Sequence, residues 1–195
     1  MCHKTAVVNP APAEVLSLVT AGSAEDVHLA AEAAQTAWPA WRNTPASQRV
    51  QYLYRMKQIL ETHEHEIAEI CTRECGKTLA ESKAEVMRAI ENVEVACGIP
   101  TLLQAGFSED IAPGIDEFVI RQPVGVAACI APFNFPAMIP FWFMPYALAC
   151  GNTYIVKPSE KVPLTMTRIF ELFAPIGLPP GVLNLVHGGR ETVDA

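Results

Sequence analysis

The chain has little positive charge and no cluster of it. Its 195 residues include 14 Lys and Arg against 21 Asp and Glu, which leaves a formal net charge of −7. Proteins that bind nucleic acid need grouped cations to neutralise phosphates, and the Lys and Arg residues here are scattered along the chain. We therefore expect no nucleic-acid partner.

Long apolar runs are also missing. The most apolar region, residues 124–150, is interrupted by four prolines and an asparagine, so it predicts no membrane-spanning segment. The first residues lack both the apolar core of a secretory signal and the Arg-rich amphipathic pattern of a transit peptide. We expect a cytoplasmic protein, or one of the mitochondrial matrix if a eukaryotic chain has lost its leader.

The six cysteines show no regular spacing, so the sequence predicts reduced thiols rather than a disulfide framework. Four possible metal ligands lie close together in one charged, helical segment: His63, His65, Cys71 and Cys75. Their spacing matches no common zinc pattern, and surface histidines beside half-buried cysteines explain these residues more simply. We predict no metal site.

Apolar residues are plentiful, and their spacing predicts helices in the first half of the chain. Half of all residues are hydrophobic and 18% are charged, which is typical of a globular protein with a sizeable core. The first helix is expected to start at a capping box formed by Ser23 and Asp26. It is expected to stop at Pro39.

Two further helices are predicted before the pattern changes. Thr44 and Pro45 suit the N-cap and the first position of a helix that continues past His63 and ends at Gly76. Apolar residues at helical spacing predict another helix over residues 79–97.

The second half of the chain alternates between short apolar runs and helical patterns. Phe118 to Ile120 predict a short edge or intersubunit strand. The runs that predict buried strands are residues 124–130, 153–156 and 182–186, with helices expected over residues 136–149 and 164–173. The fold class is therefore predicted to be α/β, with N-terminal helices followed by half of a doubly wound parallel sheet of the Rossmann type (βαβαβ).

Ligands of such sheets bind at the carboxyl ends of the strands, where this chain carries two polar segments. Residues 131–136 are APFNFP and residues 157–161 are KPSEK. The amide of Asn134, held between two prolines, could stabilise a developing oxyanion without titrating, or it could cap the following helix. Lys157 and Glu160 could hydrogen-bond to ribose hydroxyls, or Glu160 could be a solvated acid at a helix N-terminus. No G-x-G-x-x-G motif follows the first strand, which argues against an ordinary dinucleotide pyrophosphate site.

These segments resemble the aldehyde dehydrogenase superfamily. The likeness runs through QPVGVAACIAPFNFPAMIPFWFMPYALACGNTYIVKPSEKVPLT and GLPPGVLNLVHG, and it covers nearly the whole chain from Val8 onward. The segments PFNFPAMIPFWF and EVMRAIENVEVACGIP resemble the methylmalonate-semialdehyde branch of that superfamily. The resemblance implies NAD-dependent oxidation of methylmalonate or malonate semialdehyde to propionyl-CoA or acetyl-CoA, with CoA as the acyl acceptor, in valine, thymine or inositol catabolism.

The resemblance also implies roles for individual residues. Asn134 would stabilise the oxyanion of a thiohemiacetal, and Lys157 with Glu160 would bind the adenosine ribose, where the carboxylate of Glu160 favours NAD over NADP. The remaining cofactor contacts would come from Ala131, Phe133 and Lys161. Arg88, on the helix over residues 79–97, would pair with the free carboxylate of the substrate, although an exposed helical Arg is usually only solvated surface.

By the same resemblance, residues 1–111 form the helical part of an NAD-binding domain, residues 112–122 a strand of an oligomerisation arm, and residues 123–195 the first half of the Rossmann-like sheet. The chain is expected to be shortened at both ends, with the catalytic domain and its nucleophilic Cys outside it. Cys150 does not match that nucleophile, because it lies at a helix packing position. The full-length protein is expected to be a homodimer or homotetramer that acts on a small aldehyde.

Two other interpretations stay open. The chain could be a catalytically silent fragment, because half a sheet leaves an apolar edge exposed. Alternatively, it could belong to another aldehyde dehydrogenase, of the succinate-semialdehyde or betaine-aldehyde type, if CoA gives no acceleration.

Overall fold

The computed structural model describes residues 4–195. The described chain begins with an antiparallel pair of strands, β1 (Lys4–Val8) and β2 (Val15–Thr20). The prediction that the first half of the chain is helical is wrong at this point. Both strands are short, and the link between them contains two prolines, so their alternating pattern is too brief to be recognised from sequence.

Helix α1 (Ala24–Asn43) starts at the predicted capping box of Ser23 and Asp26 but does not stop at Pro39. A proline inside a helix costs about 3 kcal/mol. The last turn of α1 nevertheless forms, because Trp41 is buried there and its Nε1–H donates to the carbonyl oxygen of Leu148 over 3.1 Å. The predicted stop at Pro39 is therefore wrong, and a tertiary contact is the reason.

The residues between the first two helices also differ from their predicted roles. The Thr44 hydroxyl does not cap the second helix but donates to the carbonyl oxygen of Ala40, at the end of α1. Pro45 is the N-cap residue of the second helix rather than its first residue. Thr44 thus closes one helix instead of opening the next.

Two helices replace the single helix predicted up to Gly76. They are α2 (Ala46–Thr62) and α3 (Glu64–Cys75), and they are divided at His63, whose φ and ψ are −107° and 14°. The predicted end at Gly76 is confirmed, with a left-handed φ of 78°. A Cβ atom on Gly76 would lie 2.5 Å from Cγ of Pro10, so only glycine fits this position.

Helix α4 (Leu79–Cys97) has the predicted bounds and begins with an unpredicted capping box between Thr78 and Glu81. A short helix, α5 (Ile99–Leu102), follows it. The inward face of α4 is not purely apolar, since it buries a serine and a glutamate among apolar side chains. Its buried residues are Ser82, Glu85, Val86, Ala89, Ile90, Val93, Ala96 and Cys97.

An exposed antiparallel hairpin follows the helices. Strands β3 (Phe107–Ala112) and β4 (Ile115–Phe118) are joined by a turn in which Gly114 has a φ of 74°. The strand predicted over residues 118–120 is wrong in its position, because β4 ends at Phe118, where that strand was expected to begin. The hairpin spans the predicted boundary at residue 112, and the division of the chain into domains stays a prediction.

A three-stranded parallel sheet completes the fold. Its strands are β5 (Val126–Ile130), β6 (Thr153–Lys157) and β7 (Leu183–Leu185), in the order β5-β6-β7. The predicted α/β class and the βαβαβ half-sheet are confirmed. The central strand β6 is the most buried of the three, as a parallel strand covered on both faces should be.

The helix predicted over residues 136–149 is interrupted. It forms two short helices, α6 (Met138–Phe141) and α7 (Met144–Cys150), with Pro145 near the start of the second. Proline has no backbone N–H and constrains the residue before it, so it starts a new helix more readily than it continues an old one.

The second crossover helix, α8 (Leu164–Phe173), has the predicted bounds. One 3-10 turn follows it, and a last helix, α9 (Arg190–Asp194), was not predicted. Helix α1 packs along all three strands of the sheet, while α3 contacts α8 and α4 contacts α6 and α7. Within residues 4–195, no helix is long and apolar enough to cross a membrane.

Candidate functional site

The ends of β5 and β6 bring the two polar segments together. Ile130 lies opposite Lys157 in the parallel register, and the backbone N–H of Ala131 donates to the carbonyl oxygen of Lys157 over 2.9 Å. Beyond the strands, Nζ of Lys161 lies 5.0 Å from the centre of the Phe133 ring. Four of the predicted cofactor residues, from two separate loops, therefore meet at one edge of the sheet.

The loop after β5 carries Asn134, and a buried glutamate holds the end of this loop. Glu85 of α4 is only 3% exposed, and its Oε1 accepts the backbone N–H groups of Ala137 over 2.8 Å and Met138 over 3.1 Å. These are the first free amides of α6. The alternative role of Asn134, as the cap of this helix, is thus filled by Glu85, and Asn134 itself is exposed to solvent.

Lys77 connects Glu85 to the Asn134 loop. Its Nζ lies 2.5 Å from Oε2 of Glu85 and donates to the backbone carbonyl of Asn134 over 2.7 Å. The same ammonium lies 4.5 Å from the centre of the Phe135 ring. Burial lowers the pKa of Lys77, but the hydrogen bond and the charge of Glu85 outweigh it and raise that pKa overall. The ammonium is therefore held in its charged form.

The loop after β6 has a similar support from α3. Glu74 is 2% exposed and accepts the backbone N–H groups of Leu164 over 2.7 Å and Thr165 over 2.9 Å, together with the Thr165 hydroxyl. Burial raises the pKa of Glu74 to about 7, and its hydrogen bonds oppose the shift only in part. Glu74 thus caps α8 as Glu85 caps α6.

Lys157 and Glu160 lie together at the carboxyl end of β6. Nζ of Lys157 is 3.5 Å from Oε2 of Glu160, with the lysine side chain 10% exposed and the glutamate side chain 44% exposed. The buried stem of Lys157 and the accessible carboxylate of Glu160 present a donor and an acceptor side by side. Vicinal hydroxyls of a sugar could use both.

The end of the third strand contributes a residue that sequence reasoning missed. His187 follows β7, and its Nε2 lies 3.2 Å from the Thr167 hydroxyl, while no hydrogen-bond partner for its buried Nδ1 is found in the described part of the chain. Burial, aided by the charge of Lys157, lowers the pKa of His187. The imidazole is therefore neutral near physiological pH, and only its place after an apolar run could have drawn attention to it.

Arg88 is not brought into contact with the strand-end residues. Arg88 lies on α4, one turn beyond Glu85, and its side chain is 67% exposed. It pairs with Glu91 over 2.7 Å. Sequence reasoning also missed Glu85, Lys77 and Glu74. The available signal was a carboxylate on the otherwise apolar face of a predicted helix, where an unpaired charge would be costly.

The cysteines of residues 4–195 offer neither a metal site nor an activated thiol. Within residues 4–195, no group of three or more His, Cys, Asp or Glu side chains is arranged to hold a metal ion. The five cysteines of this range are free thiols, and Cys2 lies outside the described residues. Burial raises the pKa of Cys150, although Arg49 opposes this. Burial and the nearby Glu85 raise the pKa of Cys71 to about 12. Raised pKa values keep both sulfurs protonated.

Comparison with known proteins agrees with this architecture. A profile of the aldehyde dehydrogenase family matches residues 2–195. The chain is 49% identical over 96% of its length to malonate-semialdehyde dehydrogenase of Pseudomonas aeruginosa. Its fold superimposes on methylmalonate-semialdehyde dehydrogenase from Oceanimonas doudoroffii with a TM-score of 0.94, at 44% identity over 98% of the chain.

A second solved structure comes from Sinorhizobium meliloti 1021, provisionally described as a methylmalonate-semialdehyde dehydrogenase and complexed with NAD. It matches 98% of the chain with a TM-score of 0.93 and 42% identity. The chain spans 38% of the length of the Pseudomonas relative and 39% of each of these two structures. The match nevertheless covers nearly all of the chain itself, and the chain therefore belongs to the aldehyde dehydrogenase family.

Proposed function

We propose that this chain is part of an NAD-dependent dehydrogenase that oxidises methylmalonate or malonate semialdehyde and passes the acyl group to CoA. One observation carries the proposal: the loop with Asn134 follows β5, and Lys157 ends the neighbouring strand β6, with Glu160 in the loop after it. A 2.9 Å hydrogen bond from the Ala131 amide to the Lys157 carbonyl joins the two strand ends. The activities for which the relatives are named support the substrate class, and the NAD complex of one of them supports the cofactor.

The strand-end residues suit the adenosine ribose of NAD. The ammonium of Lys157 can donate to a ribose hydroxyl and the carboxylate of Glu160 can accept from one, and both lie at the carboxyl end of a parallel strand. A carboxylate in this place would repel a 2′-phosphate, which is why we propose NAD rather than NADP. The residues proposed to complete the contacts are Ala131, Phe133 and Lys161.

Asn134 suits the role of an oxyanion donor. Attack of a thiolate on the aldehyde carbon gives a tetrahedral thiohemiacetal whose oxygen carries the negative charge, and an uncharged amide N–H can stabilise it without losing a proton. The exposed carboxamide of Asn134 is free for this role because Glu85 bonds the amides of the next helix. We propose that the thiol comes from a cysteine outside this chain, since the thiol of Cys150 is protonated and packed at a helix end.

The remaining steps follow from the chemistry of the substrate. NAD held by Lys157 and Glu160 would supply the acceptor for the hydride that the thiohemiacetal carbon loses. Loss of that hydride would leave an acyl thioester on the enzyme. Loss of the free carboxylate as carbon dioxide replaces it with a proton, and the CoA thiol then displaces the enzyme thiol. We propose that Arg88 pairs with the free carboxylate of the substrate, because a guanidinium can bind both of its oxygens.

Oligomer formation is proposed on a separate observation. The β3–β4 hairpin exposes large apolar side chains, among them Phe107 at 65% and Phe118 at 68%. Exposed apolar surface of this kind is typical of protein interfaces. A homodimer or homotetramer of the full-length protein would cover it.

The test is an assay of the full-length protein for NADH formation with malonate, methylmalonate and succinate semialdehydes, betaine aldehyde and propanal, each with and without CoA. We expect the first two substrates to be preferred, CoA to accelerate turnover, and acetyl-CoA or propionyl-CoA to appear with carbon dioxide. Preference for succinate semialdehyde or betaine aldehyde without any effect of CoA would refute the proposal.

A second arm of the test uses the 195-residue chain alone. The outer edge of its sheet exposes apolar side chains, such as Ile130 at 60%, which favours a polypeptide that cannot complete the site by itself. We expect no NADH formation from it, even though the full-length protein is active.

A further inference from the structure

We propose that Lys77 and Glu85 are a positioning pair that holds the Asn134 loop in the geometry needed to stabilise the oxyanion. The inference rests on the proposed function, because it assigns to Asn134 the oxyanion role. It adds two residues from the helical part of the chain, far from Asn134 in sequence, to the machinery of the site. Neither residue is proposed to touch substrate or cofactor.

Both carboxylate oxygens of Glu85 accept hydrogen bonds from neighbouring groups. Oε1 accepts the amides of Ala137 and Met138, at 2.8 Å and 3.1 Å. Oε2 accepts from Nζ of Lys77 at 2.5 Å and from Sγ of Cys71 at 3.7 Å. A buried carboxylate is tolerated only with such partners, so the pair determines where the loop must lie for the charge to be satisfied.

Lys77 links the buried carboxylate of Glu85 to Asn134, the proposed oxyanion donor. Its ammonium donates to the backbone carbonyl oxygen of Asn134 at 2.7 Å. This hydrogen bond fixes the peptide group between Asn134 and Phe135. The contact with the Phe135 ring, at 4.5 Å, restrains the next residue as well. The loop is thus held at three points: the carbonyl of Asn134, the ring of Phe135 and the amides of residues 137–138. Asn134 itself stays exposed.

The lysine itself comes from a rigid connection. It follows Gly76, whose left-handed backbone packs against Pro10, and it precedes the capping box of Thr78 and Glu81 that opens α4. A donor on a rigid segment loses little entropy when it makes its contacts, and preorganisation of this kind is what an oxyanion site requires.

The test is a double-mutant cycle in the full-length protein, with the variants Lys77→Met, Asn134→Ala and the two combined. We expect Asn134→Ala to lower kcat by about 10²- to 10³-fold. Lys77→Met, which displaces the loop without removing the amide, should lower kcat by roughly 10- to 100-fold with little change in KM for NAD. In the Asn134→Ala background, Lys77→Met should cost almost nothing more.

Two further variants separate positioning from general stability. Lys77→Arg keeps a cation that can reach both Glu85 and the loop, so it should recover part of the lost kcat. Lys57→Met is the matched control, because it removes a lysine that pairs with Glu61 of its own helix, α2, and with Glu94 of α4, away from the Asn134 loop. We expect this control to leave kcat unchanged.

The outcomes that overturn the inference are distinct from failure of the proposed function. Multiplicative losses in the double variant, or unchanged kcat in Lys77→Met, would overturn the positioning role while leaving Asn134 in place. If Asn134→Ala loses no activity, the oxyanion assignment fails instead. Hydrogen exchange at the amides of 137–138 then decides, because faster exchange in Lys77→Met supports the positioning of the loop and unchanged exchange refutes it.

Discussion

The backbone N–H of Ala131 donates to the carbonyl oxygen of Lys157 over 2.9 Å, one residue beyond the end of β5. This bond extends the parallel pairing of β5 and β6 to the point where both chains turn away from the sheet. The proposed oxyanion loop and the proposed ribose-binding loop therefore share a rigid base. A displacement of one loop should therefore move the other, so the predictions below change residues of one loop at a time.

The carboxylate of Glu160 should decide between NAD and NADP. In the full-length protein, Glu160→Gln is expected to raise KM for NAD and to narrow the preference over NADP by roughly tenfold, about 1.4 kcal/mol, because the repulsion of a 2′-phosphate is removed. Steady-state kinetics with both cofactors measure this. Glu171→Gln, which removes another exposed carboxylate, on α8, should change neither value. Equal use of both cofactors by the unmodified protein would contradict the assignment.

Arg88 should distinguish carboxylated from simple aldehydes. Arg88→Ala in the full-length protein is expected to raise KM for malonate semialdehyde by about 10- to 100-fold, since a charge-assisted hydrogen bond contributes roughly 1.5–3 kcal/mol. KM for propanal should hardly change. Arg88 is engaged by Glu91 over 2.7 Å, so Glu91→Gln should leave KM unchanged or lower it. An equal effect of Arg88→Ala on both aldehydes would count against the role, and Arg73→Ala, at an exposed arginine of α3, is the control.

Glu74 should make the stability of the chain depend on pH. Its pKa is raised by burial to about 7 from an ordinary value of 4.5, so the folded state binds a proton that the unfolded state has released. The stabilisation that this bound proton gives to the folded state is complete below pH 4.5 and is lost as pH rises through about 7. Glu74 should contribute a fall in the free energy of unfolding of on the order of 1 kcal/mol per pH unit in this window. Urea unfolding at several pH values tests it. Glu74→Gln should remove this part of the pH dependence, whereas the exposed Glu32→Gln should keep it. A pH dependence that is the same with and without Glu74→Gln would refute the prediction.

Gly76 should be irreplaceable for two separable reasons. Gly76→Ala introduces a Cβ at a φ of 78° and 2.5 Å from Cγ of Pro10, so we expect a loss of about 2–4 kcal/mol in unfolding free energy. Gly177→Ala is the matched control, because its φ is 73° and no atom lies within 4 Å of the added Cβ. The control should lose only about 1 kcal/mol, which is the conformational part. Equal losses in the two variants, measured by urea unfolding of the chain, would remove Pro10 from the explanation.

Local patterns were sufficient for several elements. The helices α4 and α8 have the predicted bounds, and the three apolar runs form the parallel strands β5 to β7. Each of these segments has a continuous apolar stripe or run and a clear stop signal, such as Gly98 after α4. Where the local sequence pattern and the tertiary packing favour the same element, the pattern alone is enough to predict that element.

Other elements depended on contacts that the pattern does not contain. Helix α1 continues past Pro39 because Trp41 reaches Leu148, which lies 107 residues away. The β1–β2 and β3–β4 pairs were missed because short strands are stabilised by their partners rather than by their own residues.

For the candidate site, the sequence by itself determined the chemical groups and their places at strand ends: Asn134 after one buried run, and Lys157 with Glu160 after the next. These places follow from local periodicity and from the rule that parallel strands end at the same edge. Only the tertiary structure decided what holds the groups there. Glu85 bonds an amide 52 residues away and Glu74 one 91 residues away, and side-chain partners so distant in the chain meet only once the helices have packed onto the sheet.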